Sequence, residues 1–198
     1  DGNARGTAQN LTSARIPGYV KDLGDKVKFI RVGYYLSSLG FNMLKEGPWQ
    51  DARVRQAVQL YIDKQAAIPG TLGGFGRLFT LLAPDNPYTS PDFMSWPGWN
   101  PATREQDKAQ AKKLLAEAGY PDGFTMNTIC RRSNVQRYEF VAAQVAGLGI
   151  DMPLKCLDSA AWTKARLGLG FDTAQGGYTA GTVIPEQAEL NLTTYSLS

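Results

Sequence analysis

The chain has 198 residues, with 21 Lys and Arg against 18 Asp and Glu, giving a net charge of +3. That length suits one large domain or two small ones, and so slight and scattered a positive excess excludes a nucleic-acid-binding stripe. It contains no histidine, so neither a Ser-His-Asp triad nor a Cys-His nucleophile can be assembled, and the commonest metal ligand is missing.

Residues 1–24 are mixed polar without clear periodicity, and Pro17-Gly18 marks a turn. The opening DGNARGTAQN lacks an initiator methionine and reads as the interior of something longer. Val27 to Met43, rich in β-branched and aromatic residues, predicts one or two strands. Asp51 then offers an N-cap to a helix whose stripe is Val54, Ala57, Val58 and Tyr61. Arg53 and Arg55 mostly fall outside the stripe. A guanidinium fork could hold a ligand carboxylate, but surface ion pairing to Asp51, Asp63 or a nearby loop is the favoured reading. Lys64, Lys112 and Lys113 read as solvated charges.

Pro69 to Pro101 is predicted to lack regular structure. A connection this long is functional or packed down by its own aromatics. Trp96 and Trp99 could therefore wall a ligand cleft or form the loop's own small core. The glycine-rich run Gly70 to Gly76 lacks the Gly-Lys-Ser/Thr ending of a phosphate loop and reads as a flexible connection.

From Lys108 the pattern is sharper. Ala111, Leu114, Leu115 and Ala118 form a helical stripe, Gly119 stops it, and Tyr120-Pro121-Asp122-Gly123 is a turn leading into a strand from Phe124 to Ile129. Asn134 can cap a helix with Tyr138, Val141, Ala142 and Val145 inward, closed by Leu148 and stopped by Gly149. A strand follows from Ile150 to Leu157. Asp158 then caps a helix carrying Ala161, Trp162, Ala165 and Leu169, and Phe171 to Tyr178 returns as a strand. This order predicts an α/β layer whose first crossover is a parallel βαβ unit. Cys130 and Cys156 fall in neighbouring predicted strands, where they form a disulfide or stay as two buried thiols; the sequence leaves both open. No partner element is evident for the tail from Pro185 to Ser198.

Two segments together resemble the family 5 extracellular solute-binding proteins, the peptide- and nickel-binding receptors of bacterial ABC importers. Phe41-Asn42 followed by PWQDARVRQAVQLYIDK is similar to that family's Asn-x-x-Pro-Phe-x-Asp-x-Arg-Val-Arg-x-Ala segment leading to Ile-Asp-Arg/Lys. The run from Ala111 to Phe124, AKKLLAEAGYPDGF, is similar to its Ala-Lys-x-Leu-Leu-x-Glu-Ala-Gly-Tyr-Pro-Asp-Gly-Phe signature. Support continues through VAGLGIDMPLKCLDSAAW and FDTAQGGY, and the likeness runs from Val27 to Pro185.

The resemblance implies a periplasmic-binding-protein-like α/β lobe of class II type, with a mixed sheet and flanking helices, as a fragment of a two-lobed receptor that closes on its ligand by hinge motion. Residues 1–40 would enter from the first lobe or hinge, 41–185 would form the second ligand-binding lobe, and 186–198 would begin the return segment. It further implies a periplasmic or extracellular, cell-surface-associated receptor serving an ABC permease. Its ligand would be peptide-like, a sugar or a related solute. Neither catalysis nor a cofactor is implied, and the lack of histidine argues against a nickel chelate.

Candidate ligand contacts are Gln175, Tyr178 and Thr179 on the last strand, Arg131 and Arg132 at the end of its parallel neighbour, and Trp96 and Trp99. In oligopeptide-binding members an arginine stands where Gln175 does, a tryptophan where Tyr178 does, and an amine-holding aspartate where Gly181 does. Losing that aspartate removes a charge-assisted hydrogen bond worth about 1.5–3 kcal/mol. These substitutions suit a neutral or decorated ligand better than a simple zwitterionic peptide. The competing expectation is an isolated lobe acting as a protein-interaction module.

Overall fold

The computed structural model describes residues 16–26, 35–72, 77, 78, 80 and 87–179. Its frame is a four-stranded mixed sheet in the order β1-β4-β2-β3, formed by β1 (Tyr35–Phe41), β2 (Thr128–Arg131), β3 (Leu154–Leu157) and β4 (Thr173–Thr179). β2 runs parallel to both β3 and β4, whereas β1 pairs antiparallel with β4. The expected βαβ unit is present: α5 (Val135–Val145) joins β2 to β3, and α6 (Ser159–Leu167) carries the chain from β3 across to β4.

Alternation along β2 sorts the two faces. Cys130 joins the larger core, built with Val54, Ala57 and Val58 of α2 (Ala52–Tyr61), Ala111 and Leu115 of α4 (Arg104–Glu117), and Tyr138 and Val145 of α5. Ile129 joins the smaller core on the other face, with Trp162, Phe171 and Ala174. Sheet faces covered by helices on both sides are what buried parallel strands require.

Local chemistry explains the element ends. The Asp51 and Asp158 carboxylates accept the N–H groups of Arg53 and Ala161, capping α2 and α6 as expected. Asn134 occupies the N-cap position of α5, but its side chain makes no capping bond. Gly123 and Gly149 both have positive φ and pack backbone to backbone. A Cβ on Gly123 would lie 2.1 Å from the Gly149 carbonyl oxygen, so the turn and the helix stop need glycine together.

Several elements differ from the sequence reading. Residues 16–23, read as aperiodic with a turn, form α1 (Ile16–Leu23), because proline is tolerated in a first helical turn. The segment from Pro69, read as irregular, begins inside α3 (Ala67–Leu72), which packs against α5. Two single 3₁₀ turns, Phe93–Ser95 and Pro101–Thr103, follow. β2 and β3 are shorter than the predicted strands, with Thr125 and Asp151 joined only by an isolated bridge. The boundary expected at 40/41 falls within β1. Residues 27–34 of the first predicted strand region, residues 73–76 of the glycine-rich run and the tail from Pro185 lie outside the described residues.

Buried polar chemistry ties the sheet to what precedes it. Asn42, at the end of β1, donates from Nδ2 to the Leu169 and Phe171 carbonyls, and its own carbonyl accepts the Trp49 indole N–H at 2.9 Å. The Asp172 carboxylate accepts from Lys45 Nζ at 2.6 Å and from the Asn127 backbone and side chain at 2.7 and 2.9 Å. Burial alone would raise the Asp172 pKa, but the bonds from Lys45 and Asn127 outweigh it and hold the carboxyl below its ordinary value.

The cysteines are paired. Cys130 and Cys156 are register partners on β2 and β3, joined by a disulfide across 26 residues of chain. Loop-closure entropy assigns such a bridge roughly 3 kcal/mol. Urea unfolding of Cys130→Ser/Cys156→Ser should show a loss of about that size, and an unchanged midpoint would remove the bridge's stabilising role. Asp172 predicts a second dependence. Its folded pKa is depressed, so its contribution is complete above pH about 4 and is lost as pH falls through the folded value. The stability gap between wild type and Asp172→Asn should therefore narrow on acidification below that point; a pH-independent gap would contradict the assignment.

Candidate functional site

Three parallel strands point their C-terminal ends to one edge of the sheet, and five of the seven expected contacts lie on or directly after two of those strands. Arg131 ends β2, Arg132 follows it and is exposed, and Gln175, Tyr178 and Thr179 lie on β4. The N-termini of α5 and α6 open at the same edge, because each helix follows a strand that ends there.

The β2–β4 ladder stops after Ile129↔Ala174, while β4 continues to pair with β1 as far as Tyr35↔Thr179. At that parting Gln175 replaces the ladder: its Oε1 accepts the Arg131 backbone N–H at 2.9 Å. Gln175 is buried, with 4% of its surface exposed. Its oxygen satisfies a strand end that would otherwise hold an orphan donor. Leu36↔Tyr178 and Tyr35↔Thr179 fix the backbone positions of the other two β4 candidates. Their side chains lie outside the described ones.

Arg131 carries its side chain to the α6 face. Its guanidinium carbon stands 4.2 Å from the centre of the Trp162 ring, within cation–π range. The aromatic loop takes its own course. Trp99 packs edge-on against Phe93, with ring centres 5.4 Å apart, and lies under the Lys64 ammonium at 5.1 Å. Trp96 is 40% exposed. Among the described residues no hydrogen bond or ring contact joins either tryptophan to Arg131, Arg132 or Gln175.

Lys64 corrects an expectation. It is not a solvated charge: Nζ donates to the Gln59 and Gly98 carbonyls, both at 2.7 Å, and burial beside Arg104 pulls its pKa down to about 8. Arg104 bonds the Leu60 and Tyr61 carbonyls, so two cations cover the C-terminal end of α2. Asp107 fastens the other side by accepting Gly98 N–H at 2.9 Å and the Thr103 hydroxyl. Lys64 and Arg104 line a cavity of about 120 Å³ with Asp63, Trp99 and Pro101. Sequence reasoning missed Lys64 and Asp107 because their partners are carbonyls and amides, which periodicity does not reveal. Arg53 and Arg55 are structural, as favoured: Arg53 forks onto Asp51 and reaches the Glu117 carbonyl, while Arg55 bonds the Trp49 and Gln50 carbonyls.

No group of three potential metal-ligating side chains, and no helix long and apolar enough to cross a membrane, occurs among the described residues. The family described as "Bacterial extracellular solute-binding proteins, family 5 Middle" matches residues 6–196. The chain belongs to that family.

Among its relatives, the glutathione-binding protein GsiB of Salmonella choleraesuis (strain SC-B67) is 30% identical over 115 residues, covering 57% of this chain and 21% of that protein. Among solved structures, the periplasmic binding protein DppA of Helicobacter pylori, in complex with the peptide STSA, aligns at a TM-score of 0.67 and 25% identity. That alignment covers 88% of this chain and 33% of DppA. A dipeptide-binding protein of Pseudoalteromonas sp. SM9913, in complex with Met-Leu, aligns at a TM-score of 0.69 and 21% identity, over 93% of this chain and 37% of its own, and so shows the shared fold. This family 5 chain thus spans about a fifth of the curated relatives' length and about a third of the solved structures.

The role of Gln175 is open to direct measurement. Removing a partner from a buried donor costs about 1–3 kcal/mol. Gln175→Ala should lower unfolding stability by that amount in the absence of any ligand. Unchanged stability would contradict that structural role.

Proposed function

We propose that the family 5 chain described here is the second, ligand-capturing lobe of a periplasmic or extracellular solute receptor that delivers its cargo to an ABC permease. The observation that carries this reading is the parting of β4 from β2 at Gln175. Where neighbouring parallel strands separate, a crevice opens beyond their carboxyl ends, and ligands of open α/β sheets bind in such crevices. Tyr178 and Thr179 stand on β4 just past that point, and Arg132 directly follows the end of β2.

The lobe begins with β1, since β1 is a full strand of its sheet, and extends to 185; the stretch before β1 enters from the first lobe, and 186–198 starts the return. Closure of a first lobe over this edge by a hinge would bury the ligand. Tyr178 supplies an aromatic wall and Arg132 an exposed cation, while Gly181 leaves the position of an amine-holding aspartate empty of charge. A peptide-like solute whose α-amine needs no carboxylate partner fits this set. The relatives' printed ligands, glutathione and short peptides, support the peptide-like class.

The test uses the complete receptor, titrated calorimetrically with glutathione and with Met-Leu. Tyr178→Ala should weaken whichever binds by about tenfold or more, as loss of a buried aromatic anchor does, with the unfolding midpoint unchanged. Affinity equal to wild type would remove Tyr178 from the site, and failure of the intact receptor to bind any peptide-like solute would overturn the ligand class.

A further inference from the structure

The acceptors around Lys64 suit an amine better than an ammonium ion. No salt bridge engages Lys64 among the described residues. Two backbone carbonyls serve it instead, those of Gln59 and Gly98, both 2.7 Å from Nζ. A third, that of Ile62, stands at 3.5 Å, beyond the range of a good N–H···O bond. Two close acceptors match the two N–H groups of a neutral amine, whereas an ammonium ion carries a third donor.

The charged neighbours act in the same sense. Arg104 of α4 brings a second cation to the same end of α2. Asp63, on the lysine's own segment, is spent on the Ala66 N–H and on Arg104, and Asp107 of α4 on the Gly98 N–H and the Thr103 hydroxyl. From α2 and the loop over 97–101, Nζ meets carbonyls and the Trp99 ring, whose centre is 5.1 Å away. Burial and Arg104 outweigh the two carboxylates, which is why the Lys64 pKa falls to about 8. A reactant has room beside it. Lys64 is only half-buried, and it lines the partly open cavity of about 120 Å³ with Gly98 and Trp99, two of the groups that Nζ touches, and with Asn100 and Arg104.

We propose that Lys64 is a covalent modification site, a nucleophilic amine that accepts a short acyl group from an acyl phosphate. Nζ attacks the acyl carbon and a C–N bond forms. The C–O bond to phosphate breaks, phosphate leaves with that electron pair, and one amine proton passes to solvent. Arg104 on the cavity wall favours an anionic donor, and the small cavity limits the acyl chain. The uncharged amide ends the cation–cation contact with Arg104 and keeps one N–H for the Gly98 or Gln59 carbonyl. This chemistry involves neither the strand-end edge nor its solute.

The probe is acetyl phosphate, added to the full chain at pH about 8, with acetylation of each lysine followed over time by peptide mass spectrometry. Lys112 and Lys113, exposed on α4, are the internal standards. At that pH roughly half of Lys64 is neutral, against roughly one in 250 of a lysine at its ordinary pKa. Lower nucleophilicity and partial burial take back part of this lead, so Lys64 should acetylate about tenfold faster than either standard. The lead should disappear as pH rises to about 10.5, because the standards then deprotonate as well, and also in the urea-unfolded chain at pH about 8. Labelling of Lys64 no faster than that of Lys112 and Lys113 in the folded chain overturns the proposal, as does a lead that persists in urea or at the higher pH. No solute enters the measurement, so its failure is distinct from failure of the receptor reading.

Discussion

A carboxylate with only 4% of its side-chain surface exposed can stay charged only if its surroundings supply donors, and Asp172 is in that position. Lys45 comes from the segment after β1, and Asn127 from the approach to β2. One ionised side chain thus fixes where β4 begins relative to two other strands. Asn42 works from the same junction: its amide bonds the Leu169 and Phe171 carbonyls just before Asp172, and its carbonyl holds the Trp49 indole. The turn that launches α2 is thereby hung from the sheet. Removing one partner would strand a buried charge or amide, so the junction acts as a unit rather than as separable bonds.

The strand-end edge depends on this junction. With the starts of β2 and β4 pinned together by Asp172 and by the buried contact between the Thr128 and Thr173 hydroxyls, the two strands stay in register for two residues and then diverge. Gln175 makes the divergence tolerable by satisfying the N–H that the ladder abandons. Opening a crevice in a sheet exposes backbone donors, and a side-chain amide at the parting point lowers that cost. The same geometry sends the Arg131 side chain to the α6 face while leaving Arg132 at the edge. Two adjacent cations thus serve different surfaces.

The aromatic loop illustrates how far an irregular segment can be ordered from outside. Its glycine and tryptophan at 98 and 99 are gripped by Lys64 and Asp107, from the chain after α2 and from α4. Lys64 and Arg104 at once complete the α2 carbonyls and seat the loop. Phe93 and Trp99 pack on each other there, and the loop's ordering entropy is offset by capping bonds that α2 needed anyway.

Local chemistry made much of the fold legible in the residues alone. The caps at Asp51 and Asp158, the stripe at Ala111 and Leu115, the stops at Gly119 and Gly149, and the strand–helix alternation all rest on partners a few residues away. So do the two segments that carry the family likeness. The misreadings have the opposite origin. α1 and α3 contain prolines near their starts that local rules treat as breakers. Lys64 looked like a surface group because its carbonyl partners are set by the fold, and the burial of Gln175 was hidden in the same way; Lys45 and Asp172 are 127 residues apart, and Gln175 and Arg131 are 44 apart. Sequence fixes which groups are polar and how each helix and strand begins and ends. Only the tertiary structure decides which polar groups are consumed by burial and which remain to meet a ligand, because that depends on what long-range packing brings within hydrogen-bonding distance.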